Sequence, residues 1–395
     1  MPYDLKSLSL PRLGTRGLAL LVRVLENPLI GPWLVARLKR DAGLTRLSAS
    51  DVTEPPTFFP SQPSDDPAIP ALDAFDADDS PYSDAPAPPP PTPGFAFPAA
   101  EDFTRAYRAG RLTPQDVASR FIAQWNASDT GPRPLRAMIA VREDDLMAQA
   151  AASAARWREG RPRGSLDGVP VAIKDEVDVE GYPTTLGTRV RNLGPAARDA
   201  TAVARLRAAG ALIVGKANMH EIGINVTGLN PHWGTTRNPY DDGCHTGGSS
   251  SGPATAVASG LVPIALGADG GGSIRIPSAF CGLVGIKPTF GRISEAGVPP
   301  LVWSVAYLGP IAATVRDCAA AYAIMAGDDP LDPHARNHPS VSVDVAPPRS
   351  LTGVRLGVYW PWFRHATPDV VTRCEALLRD FEAHGATLVD VEVPD

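Results

Sequence analysis

No stretch of the chain approaches the ~18 uninterrupted apolar residues of a membrane-spanning helix. The first residues, MPYDLKSLSL, lack the charged-then-apolar layout of a secretory leader. Cysteine is scarce: Cys244, Cys281, Cys318 and Cys374 stand apart, with no C-x-x-C pair and no histidine spaced to complete a zinc site. They read as reduced thiols, which together with the missing leader predicts a cytoplasmic chain. A net charge of −6 gives no overall attraction for nucleic acid, so none is expected as a partner. No metal or other cofactor is expected.

Basic residues are missing altogether between positions 51 and 100, where nine Asp/Glu stand. Residues 1–50 carry the opposite bias, eight Lys/Arg against three Asp/Glu. The acidic stretch also holds 14 of the 42 prolines, including the run Pro88–Pro91. Such a segment cannot build helix or sheet, so 51–100 reads as a solvated, polyproline-like linker. In the basic arm, 1–50, Leu18, Leu21, Val22 and Leu25 recur at helical spacing. Asn27-Pro28 breaks the pattern, and Trp33, Leu34, Ala36 and Leu38 resume it before Lys39-Arg40. An apolar stripe edged by Arg23, Arg37, Lys39 and Arg40 suits a helix lying on an anionic membrane surface. It equally suits an arm packed on its own chain or on a second subunit of a homodimer.

The remaining stretch, 101–395, alternates helix and strand. Helices are expected at Gln115–Trp125, Asp144–Arg158, Thr201–Ala209 and Val370–Phe381, and strands at Gly168–Ile173, Ala211–Val214 and Leu261–Leu266. Pro253 suits the first turn of a further helix, and another helix is expected to start at Pro277. This alternation predicts an α/β fold in which helices cover both faces of a sheet. The last segment, TLVDVEVPD, reads as an alternating strand.

Three segments in this region carry chemistry. In DGVPVAIKDEVDVEG, Lys174 ends an apolar strand, either snorkelling to solvent or held inside. Asp175 and Glu176 beside it either hold the lysine or form a solvated turn. In TGGSSSGPATAVASG, Gly247 and Gly248 precede three serines at the start of a helix. In LGADGGGSIRIPSAFCG, a glycine-rich turn delivers Ser273. Successive glycine N–H groups can converge on one developing negative charge. No Gly-Lys-Ser/Thr follows, which argues against a nucleotide P-loop. The three together suggest a serine nucleophile whose base is a lysine. Residues 248–252 formally match the G-x-S-x-G elbow of hydrolases, but RNPYDDGCHT before them does not read as the strand that motif needs. His220, in NMHEIG, lacks a second metal-binding histidine and reads as structural, and Cys281 reads as core.

These motifs, Lys174 in PVAIKD, Gly-Gly-Ser-Ser at 247–250 and Gly-Gly-Gly-Ser at 270–273, resemble the amidase signature family. LENPLIGPWLVARLKRDAGLTRL, GKANMHEIG and TTRNPYDDGCHTGGSSSG are similar to its plant-type fatty acid amide hydrolase branch. The resemblance implies a large mixed β-sheet under helices and a Ser–cis-Ser–Lys triad. Ser273 would be the nucleophile, Ser249 the bridging serine after a cis peptide, and Lys174 the base. The backbone N–H groups of Gly270, Gly271, Gly272 and Ser273 would bind the oxyanion, supported by Ser250, Asp269 and Arg275. Ser251 with Pro253 departs from the Gly and Ser of many members, after the bridging serine. The implied activity is hydrolysis of lipid amides of the N-acylethanolamine type. Small or aryl amides, or an ammonia-releasing component of an amidotransferase, are the alternatives. Chains of this family continue well beyond the position of Asp395, so the resemblance also raises an incomplete acyl pocket and an inactive fragment or binding module.

Overall fold

The computed structural model describes residues 15–41, 45, 99–189, 194–302, 304–341 and 350–392. The proline-rich segment up to residue 98 lies outside the described residues. Contacts divide the chain into two compact units, Phe59–Val345 and the pair of segments Met1–Phe58 and Ala346–Asp395.

The second of these units begins with α1 (Thr15–Leu25) and α2 (Gly31–Asp41). The side chain of Asn27 accepts from the N–H groups of Leu29 and Ile30, which sets the turn between them.

In the larger unit, α3 (Ala100–Arg108) and α4 (Pro114–Ser128) come first. Thr113 and Asp116 cap α4 reciprocally, at 3.2 and 2.8 Å, and Pro114 occupies the first helical position, where no N–H is needed. There follow β1 (Met138–Ala140), α5 (Glu143–Arg158), β2 (Pro170–Lys174), α6 (Thr201–Ala208) and β3 (Leu212–Ala217). A short hairpin, β4 (Arg237–Asn238) and β5 (Asp241–His245), leads to α7 (Ser251–Ala258) and β6 (Ile264–Asp269). The unit closes with α8 (Arg275–Phe280), β7 (Val284–Gly285), β8 (Tyr307–Ala312) and α9 (Val315–Met325).

Six strands form one mixed sheet in the order β1-β3-β2-β6-β8-β7. Its centre, β3-β2-β6, is parallel, and the outer pairings are antiparallel. Strand alternation divides the core. Val171, Ile173, Ile213, Ile264 and Leu266 face Val203 and Leu206 of α6 and Cys318 and Met325 of α9. Ala172, Leu212, Val214 and Ala265 face Phe121 of α4, Leu146 of α5 and Val257 of α7. Every residue of β2, β3 and β6 is buried, which is why these strands read as unbroken apolar runs. The expected α/β architecture, with helices on both faces of a mixed sheet, is the one observed.

Three local expectations are corrected. The run 261–266 starts the strand too early. The N–H groups of Leu261 and Val262 bond back to Ala256, closing α7, and pairing begins only at Ile264. Helix α8 begins at Arg275 rather than Pro277, because Gly272 O accepts from Ile276 N–H at 2.7 Å. RNPYDDGCHT contains a hairpin, in which Arg237 pairs with His245 and Asn238 with Asp241. Its Asn, Asp and Gly residues are turn formers that hide the pairing from sequence.

After residue 349 the chain forms β9 (Arg355–Val358), α10 (Trp360–Phe363), α11 (Pro368–Ala383) and β10 (Thr387–Asp390). β9 and β10 pair in parallel. Of TLVDVEVPD, residues 393–395 lie outside the described residues.

Candidate active site

The parallel strands β2 and β6 both end at one edge of the sheet, where open α/β sheets place their ligand crevices. β2 delivers Lys174 there, and β6 delivers Asp269 with the turn 270–272 and Ser273 behind it. Lys174 is 1% exposed, so it does not snorkel. Its Nζ donates to Ser249 Oγ at 2.8 Å and to Ala268 O at 3.2 Å. Glu176 is buried as well, with Oε1 2.7 Å from Lys174 Nζ. The alternative of a solvated turn after the lysine is thereby overturned.

Ser249 and Ser250 are buried at the entrance to α7, and the Gly248–Ser249 peptide is cis. Ser249 O accepts from His220 N–H at 3.0 Å. His220 thus braces the turn through its backbone. Its partly buried ring has its pKa lowered by burial, although Glu221 pulls the other way. Ser250 Oγ donates to Ala268 O at 3.1 Å. That bond, with full burial, removes Ser250 from the role a nucleophile elbow would give it. Two glycines let the neighbouring turns meet. A Cβ on Gly248 would stand 2.6 Å from Gly228 N, and one on Gly228 2.6 Å from Ser251 Cβ.

Asp269 organises the second serine turn. Its carboxylate accepts from the N–H groups of Gly272, Ile274 and Arg275 at 2.6–3.2 Å, and from the Arg275 guanidinium at 2.9 and 3.0 Å. Burial opposes ionisation, yet these donors outweigh it and hold the pKa down at about 2. Gly272 N–H is thus taken up by Asp269.

Lys174, Glu176, Ser249, Gly270, Gly271 and Ser273 line one cavity of about 400 Å³. Its remaining wall is mostly apolar: Ile224, Val226, Leu301, Val302 and Val305. These five are all at least 40% exposed, an unusual density of bare aliphatic surface around one opening. Sequence reading missed this rim, since its two segments lie some 75 positions apart and neither shows periodicity. Among the described residues, no group of three or more His, Cys, Asp or Glu could hold a metal ion.

The Amidase family model matches residues 120–395. The chain belongs to the amidase family. It is 37% identical to a fatty acid amide hydrolase of Medicago truncatula, over all of this chain and 68% of that protein. It is 41% identical to a component of the glutamyl-tRNA(Gln) amidotransferase of Anaeromyxobacter sp. (strain K), over 72% of this chain and 58% of that one. The peptide amidase of Stenotrophomonas maltophilia superposes with a TM-score of 0.70 at 33% identity, over 75% of this chain and 62% of the other. The chain thus spans roughly two thirds of the length of such relatives.

Proposed function

We propose that this chain carries the catalytic centre of a serine amidase that hydrolyses fatty acid amides, of the N-acylethanolamine type, to fatty acid and amine. The observation that supports this most directly is the buried 2.8 Å contact between Lys174 Nζ and Ser249 Oγ in a cavity shared with Ser273. Lys174, in its neutral form, takes the proton of Ser249, which takes that of Ser273. Ser273 Oγ then bonds to the amide carbon, and the carbonyl oxygen gains negative charge facing the Gly270, Gly271 and Ser273 N–H groups. The proton returns through Ser249 to the departing nitrogen, the C–N bond breaks and the amine leaves. Water, activated in the same way, cleaves the acyl-serine ester and restores Ser273.

The aliphatic rim supports an acyl chain over a short polar amide, at ~0.8 kcal/mol for each methylene buried. The similarity to an amidotransferase component favours a second reading, in which the site releases ammonia from a small amide. Turnover of a long-chain acylethanolamide beside a short aryl amide and glutamine tests both, with Ser273→Ala as control. Preference for the lipid amide is expected. Equal or better turnover of a short amide removes the lipid reading, and activity surviving in Ser273→Ala removes the mechanism.

The arm, 1–50, is proposed to touch a membrane surface. On α1, α2 and the turn between them, Leu20, Leu29, Ile30, Trp33 and Leu38 are exposed beside basic residues, and no described helix is long and apolar enough to cross a bilayer. Co-sedimentation with anionic liposomes should fall when the arm is removed; unchanged binding overturns this.

A further inference from the structure

The two acidic residues after Lys174 are used differently. Asp175 faces away from the cavity: Oδ2 accepts from Gly187 N–H at 2.9 Å and from the Thr185 hydroxyl, and Oδ1 lies 3.6 Å from Lys216 Nζ. Glu176 turns back on the end of its own strand, placing Oε1 2.7 Å from Lys174 Nζ with the two side chains 7% and 1% exposed. Among the described residues, Oε1 accepts no hydrogen bond, and the ammonium 2.7 Å away pairs with it as an ion. Its other oxygen points toward Gly223 at the cavity wall, 3.4 Å from where a side chain there would begin.

Groups on the neighbouring elements bear on the pair, among them Asp269 of β6, which lines the same cavity and is held ionised by Arg275 and the turn N–H groups. Ala268 O of β6 and Ser249 Oγ both accept from Lys174. The His220 ring, after β3, feels the lysine's charge, and Lys216 of β3 feels that of Glu176. Glu295, before β8, is pushed up to about 8 by burial, with Asp332 and Glu176 adding to the effect. At neutral pH Glu295 therefore keeps its proton and adds no charge. Glu176 is the acidic side chain in contact with Lys174.

We propose that Glu176 is a positioning residue that acts as counter-ion to Lys174, holding the ammonium against Ser249 in the resting site and opposing its loss of a proton. A buried charge is favoured by an opposite charge at contact distance and disfavoured without one. Glu176 thereby sets the lower pH limit at which Lys174 can serve as a base. This rests on the proposed role of Lys174, and the test is chosen so that the two can fail separately.

The 395-residue chain carrying lysine labelled with 13C at Cε reports the protonation of each amine without any turnover, and Lys174→Met assigns the signal. In Glu176→Gln the Lys174 titration midpoint is expected to fall by at least one pH unit, and in Glu176→Asp, which keeps the charge at greater distance, by less. The acidic limb of the kcat/KM profile should move the same way. A midpoint unmoved in Glu176→Gln overturns the proposal, as does a uniform loss of kcat at every pH with an unmoved limb. If Glu176→Gln does not fold, an unmoved midpoint in Glu176→Asp overturns it equally. Absence of amide turnover in every form would remove the activity proposed above and leave the titration comparison intact.

Discussion

The backbone N–H of Ser250 donates to the carbonyl of Ser273 at 3.1 Å, joining the two serine turns directly. Ser249, the proposed bridging serine, and Ser273, the proposed nucleophile, thus sit on two turns tied to each other by a direct backbone hydrogen bond. Residues that act as such a unit lose their effect together. Ser273→Ala and Ser249→Ala are each expected to lower kcat by at least ~10⁴-fold, and the double variant by little more than Ser273→Ala alone. Single-turnover hydrolysis of an acylethanolamide measures this; losses that multiply would show that the serines act independently.

Asp269 makes the second turn sensitive to acid. Its folded pKa of about 2 lies below the ordinary value of 3.8, so its stabilisation is fully present above about pH 4. It is lost as pH falls from about 4 to about 2. Urea unfolding across that range should show a stability loss in the parent that Asp269→Asn lacks. Asp269→Ala, which leaves the N–H groups of Gly272, Ile274 and Arg275 without their acceptor, should cost about 1–3 kcal/mol at neutral pH.

Glu295 has the opposite sign. Its pKa, raised by burial to about 8, means that the folded state holds a proton which the unfolded chain has released above about pH 4.5. Its contribution to stability is therefore highest below that pH and declines as pH rises through 8. Glu295→Gln, neutral throughout, should be more stable than the parent at pH 8 and should flatten that slope in pH-dependent chemical unfolding.

The rim is expected to govern chain length. Val302→Asp or Ile224→Asp should raise KM for a long-chain amide ~10-fold or more, with less than a twofold effect on a short aryl amide. Equal effects on both substrates would mean that the acyl chain does not lie there.

Much of this arrangement was legible in the chain itself. Lys174 stood out because an apolar strand ended in a charge, and Ser273 because three glycines preceded it. The extent of β3 through Lys216 was not legible, since a lysine looks like the end of an apolar run until its burial beside Asp175 is known. Glu176 was ambiguous for a related reason: an acidic residue following a strand has the composition of a solvated turn. The start of β6 shows a further limit. Leu261 and Val262 are as apolar as Ile264 and just as buried, and only their backbone bonds to Ala256 separate them from the strand. Hydrophobicity marks burial; it does not mark where pairing begins.

The meeting of Gly228 with Gly248 has a wider consequence. A side chain at either glycine would run into the opposite turn, so the contact requires both positions to stay bare. Substitutions at Ile224 and Val226, a few positions before Gly228, are expected to leave the contact between Lys174 and Ser249 in place. Under the proposed function, substrate preference and bond-breaking chemistry should therefore be separable, with a new specificity selected at the rim while the serines stay where they are.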